Sequence, residues 1–235
     1  MLPYFHIPSI EPSQTDLQLD KDTTRHVIQV LRMKRNDKLL LTDGRGNLLT
    51  TAIIDDHKKK CMVRVEEREF DPGQKRKITI AISLLKNNSR LEWAFEKITE
   101  LGISEIIPLV CERTEKQHFR FERMKNILIS SMLQSQQAWL PILHEPVDFE
   151  QVVEQSHQDQ KFIAHCVEEE KRNLSDLVNE NLSSQIILVG PEGDFTNEEI
   201  EFAIRYHFTP VALGETRLRS ETAGIVAAAI LKLIS

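Results

Sequence analysis

Apolar positions along residues 1 to about 70 come in short runs separated by turn-forming residues, which predicts strands. Lys38-Leu-Leu-Leu-Thr42 is one run, Leu48 to Ile54 a second, and Cys61 to Val65 a third with two-residue alternation. Asp43-Gly-Arg-Gly-Asn47 has the composition of a turn. Val27, Val30 and Leu31 recur at helical spacing and predict a short helix over Thr23 to Leu31. Phe70-Asp-Pro-Gly73 breaks both patterns and is the best boundary. After it the rhythm becomes strand, helix, strand. Apolar β-branched runs at Lys77 to Leu85, Glu105 to Val110, Lys161 to Cys166, Gln185 to Val189 and Phe208 to Leu213 predict strands. Helices are expected from Ser89 to Leu101, from Phe121 to Trp139, from Thr196 to Tyr206 and from Ser220 to Ile234. Ser89-x-x-Glu92 and Thr196-x-x-Glu199 have capping-box spacing. This alternation predicts an α/β fold with a mainly parallel sheet covered on both faces. Two domains are expected, 1–72 and 73–235.

Composition narrows the class. The 235 residues are 40% hydrophobic and 28% charged, which is globular. The apolar stretch from Ala223 to Ile234 is too short to span a bilayer. The N-terminal residues lack the basic segment and apolar core of a secretion signal. Three dispersed cysteines, none at CxxC spacing, argue against a disulfide framework or a zinc site and for a cytoplasmic location. The eight histidines form no ligand spacing, so no metal is expected. The net charge of −6 is unevenly placed. Ten acidic and three basic residues lie between Ile142 and Gln185, which leaves the remainder slightly basic. Arg25, His26, Arg32, Lys34 and Arg35 are the best candidates for a basic face that meets phosphates, with a solvated basic helix as the competing explanation.

Two segments look unlike ordinary packing. Leu188-Val-Gly-Pro-Glu-Gly-Asp-Phe195 and Leu213-Gly-Glu-Thr-Arg-Leu-Arg-Ser-Glu-Thr-Ala223 each follow a strand run and lead into a helix. The glycines of the first would permit close backbone approach and positive φ. Neither GxxxxGK[ST] nor GxGxxG is present, so this is not a standard nucleotide loop. Either segment alone could be a strand-to-helix connection or a solvated cap. Together they point to one ligand crevice at the carboxyl edge of the sheet. His165, at the end of its strand run, is given a minor pocket role at most.

These two segments resemble the signature loops of the SPOUT methyltransferases, and in particular the bacterial family that methylates N3 of a uridine in 16S ribosomal RNA. Arg90-Leu-Glu-Trp-Ala-Phe-Glu-Lys-Ile-Thr-Glu-Leu-Gly102 and His26-Val-Ile-Gln-Val-Leu-Arg32 are similar to further motifs of that family. The resemblance implies an N-terminal PUA-like β-barrel, then a SPOUT α/β domain with a C-terminal trefoil knot. It also implies a homodimer, S-adenosylmethionine as cofactor, and 16S rRNA, within a small-subunit particle, as partner. The segment from Ser130 to Pro141 departs from the family pattern by lacking its charged residues.

On that resemblance the cofactor would be held by Gly190, Pro191, Glu192, Gly193, Leu213, Gly214, Leu218, Thr222 and Ala223. Arg219 and Arg217 are the candidates for stabilising negative charge on the uracil or contacting phosphate. Glu221 and Glu192 are candidate bases, with capping as the alternative for each. Two other functions stay open: a non-catalytic RNA-binding knotted dimer, and a methyltransferase for another RNA position.

Overall fold

The computed structural model describes residues 2–11, 13–115, 118–167 and 171–234. They fall into two compact units. Residues 1–73 with 132–140 form the first, and 74–131 with 141–235 the second.

The first unit is built on a five-stranded sheet. Its spatial order is β1 (Tyr4–His6), β3 (Lys38–Thr42), β4 (Asn47–His57), β5 (Lys60–Phe70) and β2 (Asp16–Gln18). β1 lies parallel to β3, and the other pairs are antiparallel. Alternate β4 positions point inward, so Leu49, Thr51 and Ile53 are buried with Leu39, Leu41, Cys61 and Val63. Asp20 opens α1 (Lys21–Arg25) by accepting from the Asp22 and Thr23 amides at 2.9 and 3.0 Å.

The helix then differs from the expected one. Residues His26–Val30 wind as a π-helix, with the Leu31 amide donating to the His26 carbonyl at 2.9 Å. The wider turn shifts which residues face the core. Val27 and Ile28 are buried, whereas Val30 is 62% and Leu31 42% exposed. Arg32 follows in a left-handed conformation (φ 57°), after which Met33 returns to the core.

Residues Met132–Leu140 pack with this unit. The Gly46 amide donates to the Ala138 carbonyl and the Leu140 amide to the Gly44 carbonyl. Tyr4 Oη donates to the Gln137 carbonyl at 3.0 Å. Such long-range partners explain why α3 (Phe121–Gln134) stops before the expected Trp139, since those backbone groups bond outside any helix. Gly46 (φ 89°) is required there. A Cβ on it would lie 2.5 Å from the Asp71 carbonyl oxygen and 2.8 Å from the Trp139 ring.

The second unit holds an entirely parallel sheet. Its order is β11 (Arg172–Asn173), β13 (Thr209–Ala212), β10 (Gln160–Ala164), β12 (Ser184–Val189), β6 (Lys77–Ser83), β7 (Glu105–Val110) and β8 (Ile142–Leu143), with β9 (Val147–Asp148) also on β7. β6 is buried from Ile78 to Ser83, as a strand covered on both faces should be. The covering helices include α2 (Asn88–Glu100), α4 (Phe149–Gln155), α5 (Asn197–Arg205) and α6 (Ser220–Leu233).

Thr196 and Glu199 form the expected capping box, and Glu199 Oε1 also accepts from the Glu112 amide at 2.9 Å. The box expected at Ser89 does not form. Asn87 caps α2 through the Ser89 amide, and Glu92 instead holds the Arg123 guanidinium. On α6, Gly224, Ala227 and Ala228 are buried within the unit, where the helix packs on α2 and β6. Their small size thus serves intrachain packing.

Because β13 lies beyond β10 from β12, the chain passes over β10 between these two strands. All three run parallel, so the loops that follow them emerge at one end of the sheet.

Candidate functional site

A cavity of about 440 Å³ opens at the carboxyl ends of β10 and β13, where Ala164 pairs with Val211. Ala164, His165, Cys166 and Lys171 line one side. The chain from Val211 to Leu218 and Ala223 line the other. The site follows from the topology. Parallel neighbours end together, and the alanines that finish them leave room that larger side chains would fill. Gly214 (φ 136°) has nothing within 4 Å of where a Cβ would stand, so the loop around it faces open space. Lys171 Nζ donates to the His165 and Val167 carbonyls at 2.7 and 2.6 Å and lies 3.3 Å from His165 Nδ1. These bonds hold the Lys171 ammonium against the residues that follow β10.

Of the residues expected to hold a cofactor, Leu213, Gly214, Leu218 and Ala223 meet at this cavity, as does Arg217. Thr222 is half-buried beside Ala223 and does not line it. Arg219 is the N-cap of α6, and its carbonyl accepts from the Ala223 amide at 2.7 Å. The Arg217 and Arg219 side chains are exposed and make no hydrogen bond or ion pair with the described residues. Two free guanidinium groups beside a helix N-terminus make a region of positive potential.

Glu221 is differently placed. It is buried in the first turn of α6, with Arg90 Nε 3.7 Å from its Oε1. Its Oε2 is buried without a hydrogen-bond partner among the described residues. A carboxylate so enclosed steadies the helix start and the Arg90 guanidinium.

Gly190, Pro191, Glu192 and Gly193 do not line the cavity. Gly190 packs under Phe195, whose ring would lie 3.1 Å from an added Cβ. Neither glycine has positive φ. The left-handed residue of this loop is Asp194 (φ 63°), an aspartate tolerating what was expected of glycine. Glu192 Oε1 accepts from the Lys86 amide at 3.1 Å, and Gly193 O accepts from Arg113 Nη1 at 2.8 Å. Contact with the cavity wall comes through Asp194, whose Oδ2 accepts from the Cys166 amide at 2.7 Å.

Cys166 and Lys171 also line the cavity, although neither is among the residues that the sequence singles out for a site. The available signal is that two strands, β10 and β13, end in alanine, whereas Lys171 stands in a charged run. In the first unit, Arg25, His26, Arg32, Lys34 and Arg35 are all exposed. Lys34 Nζ lies 3.8 Å from Asp56, and the His26 ring packs edge-on to Phe5 at 5.6 Å. Arg25, Arg32 and Arg35 have no ion pair with the described residues. Among the described residues no group of His, Cys, Asp and Glu could hold a metal, and no helix is long and apolar enough to cross a membrane.

Residues 72–232 match the family described as RNA methyltransferase domain, and residues 19–66 match its RNA methyltransferase PUA domain. A ribosomal RNA small subunit methyltransferase E from Rickettsia conorii is 31% identical, over 97% of this chain and 94% of its own. The crystal structure of a probable rRNA-methyltransferase from Porphyromonas gingivalis superposes with a TM-score of 0.90 at 36% identity, covering 99% of both chains. That of a ribosomal RNA small subunit methyltransferase E from Neisseria gonorrhoeae, bound to S-adenosyl methionine, gives 0.88 at 26% identity, covering 99% of this chain and 98% of that one.

Proposed function

The chain belongs to the RNA methyltransferase family, and from that membership we propose that it uses S-adenosylmethionine to methylate N3 of a uridine in 16S ribosomal RNA. The observation that carries this reading is the cavity between the loop after β10 and the Leu213–Leu218 loop. Its volume suits a nucleoside-sized ligand. The exposed backbone about Gly214 and the alanines at 164, 212 and 223 suit a flat adenosyl group held by main-chain bonds.

Leu213, Gly214, Leu218 and Ala223 would hold the cofactor directly, with Thr222 closing the pocket behind Ala223. The Gly190–Gly193 loop would support the opposite wall through Asp194 and Cys166. Bound there, S-adenosylmethionine supplies a methyl group activated by its sulfonium. The chain's own task is to align an acceptor with it and stabilise the acceptor's charge. N3 of uracil carries a weakly acidic proton, so negative charge grows on the ring carbonyls as that proton passes to solvent water and the methyl group takes its place on N3. Arg217, which lines the cavity, and Arg219, two residues on, would meet it. Glu221, buried against Arg90, would position the α6 N-terminus rather than take the proton. Glu192, engaged with the Lys86 amide, would likewise be structural.

N3 sits on the pairing edge of the base, so the target uridine must be unpaired or flipped out. Arg25, His26, Arg32, Lys34 and Arg35 would contact the RNA backbone. The same reading includes a PUA-like barrel for the first unit, and a homodimer acting in the cytoplasm on a small-subunit particle. It also includes a trefoil knot about α6. Packing of α6 against the 3₁₀ turn at Leu174–Asp176, between β10 and β12, supports that threading.

Calorimetry with S-adenosylmethionine, followed by nucleoside mapping of 16S rRNA from a deletion strain, tests the proposal. Micromolar binding and loss of one 3-methyluridine are expected. No binding at millimolar cofactor sinks the enzyme reading, and unchanged 3-methyluridine removes this substrate.

A thiol probe checks the cavity separately. Cys166 is exposed on its wall. Burial, with Asp55 and Asp56 nearby, pushes the Cys61 thiol up to about 11, and burial pushes Cys111 up further. One thiol should therefore react rapidly with a maleimide in the native protein, and Cys166→Ser should abolish that reaction. Saturating S-adenosylmethionine should slow it several-fold. An unchanged rate would place the cofactor elsewhere.

A further inference from the structure

Val30 and Leu31 present the least expected surface of the first unit. Helical spacing would bury them with Val27, yet the π-helical turn at His26–Val30 turns them outward, 62% and 42% exposed. π-Helices are rare and concentrate at functional positions. The left-handed Arg32 that ends the turn is a second departure, unfavourable for a residue that is neither Gly nor Asn. Together these features hold two apolar side chains in water.

The surroundings are basic. Arg25 and His26 precede the pair, and Arg32, Lys34 and Arg35 follow it, all exposed. Nearby acids are largely committed. Asp20 caps α1, Asp37 accepts from the Lys34 amide at 2.7 Å, and Asp56 faces Lys34 Nζ. Asp22 lies at the start of α1. Arg25, Arg32 and Arg35 are left without ion pairs among the described residues. Two exposed apolar side chains flanked along the chain by exposed cations complement a ligand that offers apolar faces and anionic linkages at short intervals. Unpaired RNA does so, because its bases are free to leave the stack. A duplex keeps its base faces covered and offers only the phosphates.

We propose that Val30 and Leu31 form an apolar contact for an unstacked base of the RNA, so that this face selects single-stranded over duplex segments. The proposal rests on the reading of Arg25, His26, Arg32, Lys34 and Arg35 as an RNA-contacting set and adds the recognition of strandedness to it. The arginines supply salt-dependent attraction to phosphate. Val30 and Leu31 supply a contact that depends little on salt.

The test uses the full chain and fluorescence anisotropy with two RNAs of equal length, one unpaired and carrying 2-aminopurine, the other duplex. In the Val30→Ser, Leu31→Ser double variant, affinity for the unpaired RNA should fall about tenfold. The 2-aminopurine signal should diminish, while the salt slope and the duplex affinity stay unchanged. An Arg25→Gln, Arg32→Gln, Arg35→Gln variant should weaken both RNAs and flatten the salt slope. Unchanged affinity for unpaired RNA in the serine variant overturns the proposal. If the arginine variant is nevertheless weakened, the backbone-contact reading survives. If neither variant changes binding, that reading falls as well. A serine variant that keeps wild-type RNA binding but loses a small-subunit protein or a second copy of the chain assigns the patch to protein contact, against the proposal. Circular dichroism and an unchanged cofactor affinity confirm that the variants fold.

Discussion

Replacing Arg219 with alanine is expected to lower turnover about 100- to 1,000-fold while leaving cofactor affinity within about threefold. The asymmetry follows from how the residue is placed. Its backbone is part of the fold, because the carbonyl accepts from the Ala223 amide and the residue caps α6. Its side chain has no hydrogen bond or ion pair with the described residues. Alanine keeps the backbone and removes the side chain beyond Cβ, the guanidinium with it. A group that meets charge developing on the uracil contributes to the transition state and little to the ground state. Arg217 lines the cavity itself, so Arg217→Ala should raise the cofactor dissociation constant as well as lower turnover. Arg219→Lys should recover only part of the loss, since an ammonium cannot offer two parallel donors. Stopped-assay kinetics with cofactor binding measured separately would decide the matter. Equal losses in turnover and cofactor affinity for Arg219→Ala would assign that residue to binding or folding.

The periodic parts of the fold were legible because each depends on local chemistry. Lys38–Thr42 and Glu105–Val110 are strands at the expected limits, and Thr196–Glu199 caps its helix as its spacing implies. Where long-range partners take over, local reading fails. The helix expected to reach Trp139 ends at Gln134, because residues 137 to 140 bond to Tyr4 and to the turn around Gly44 and Gly46. The π-helical turn was equally hidden. Val27, Val30 and Leu31 have ordinary helical spacing, and nothing in that pattern encodes an i to i+5 bond. At the candidate site, the Leu213–Ala223 segment was legible because glycine and two arginines before an apolar helix are unusual. The role of Gly190–Gly193 was harder to read. Its glycines suggested a ligand cradle, whereas Gly190 answers to the Phe195 ring and the turn is made by Asp194.

Phe195→Ala is expected to cost about 3–5 kcal/mol of stability and to lower Tm by on the order of 10 °C. Phe195 is 1% exposed and packs against Phe149 with ring centroids 5.3 Å apart. It belongs to the core cluster that includes Ile163, Leu188 and Phe208. Gly190 lies so close beneath it that the loop after β12 is shaped around this ring. Removing the ring leaves a cavity that neighbours such as Ile163 and Leu188 cannot easily fill, since the β10 and β12 ladder fixes both. The effect should also reach the cofactor cavity. The Phe195 amide donates to Asp194 Oδ1 at 2.9 Å, and Asp194 Oδ2 in turn accepts from the Cys166 amide on the cavity wall. A loosened Phe195 frees Asp194, and cofactor affinity should fall several-fold even where the protein remains folded. Phe195→Leu keeps most of the volume and should retain more than half of the lost stability. Thermal denaturation of the three proteins, with and without S-adenosylmethionine, separates the two effects. A loss below about 1 kcal/mol for alanine would mean that the loop is held by the Asp194 and Arg113 bonds rather than by the ring. Stability lost with cofactor affinity intact would instead confine Phe195 to the core and break the proposed link to the Cys166 wall.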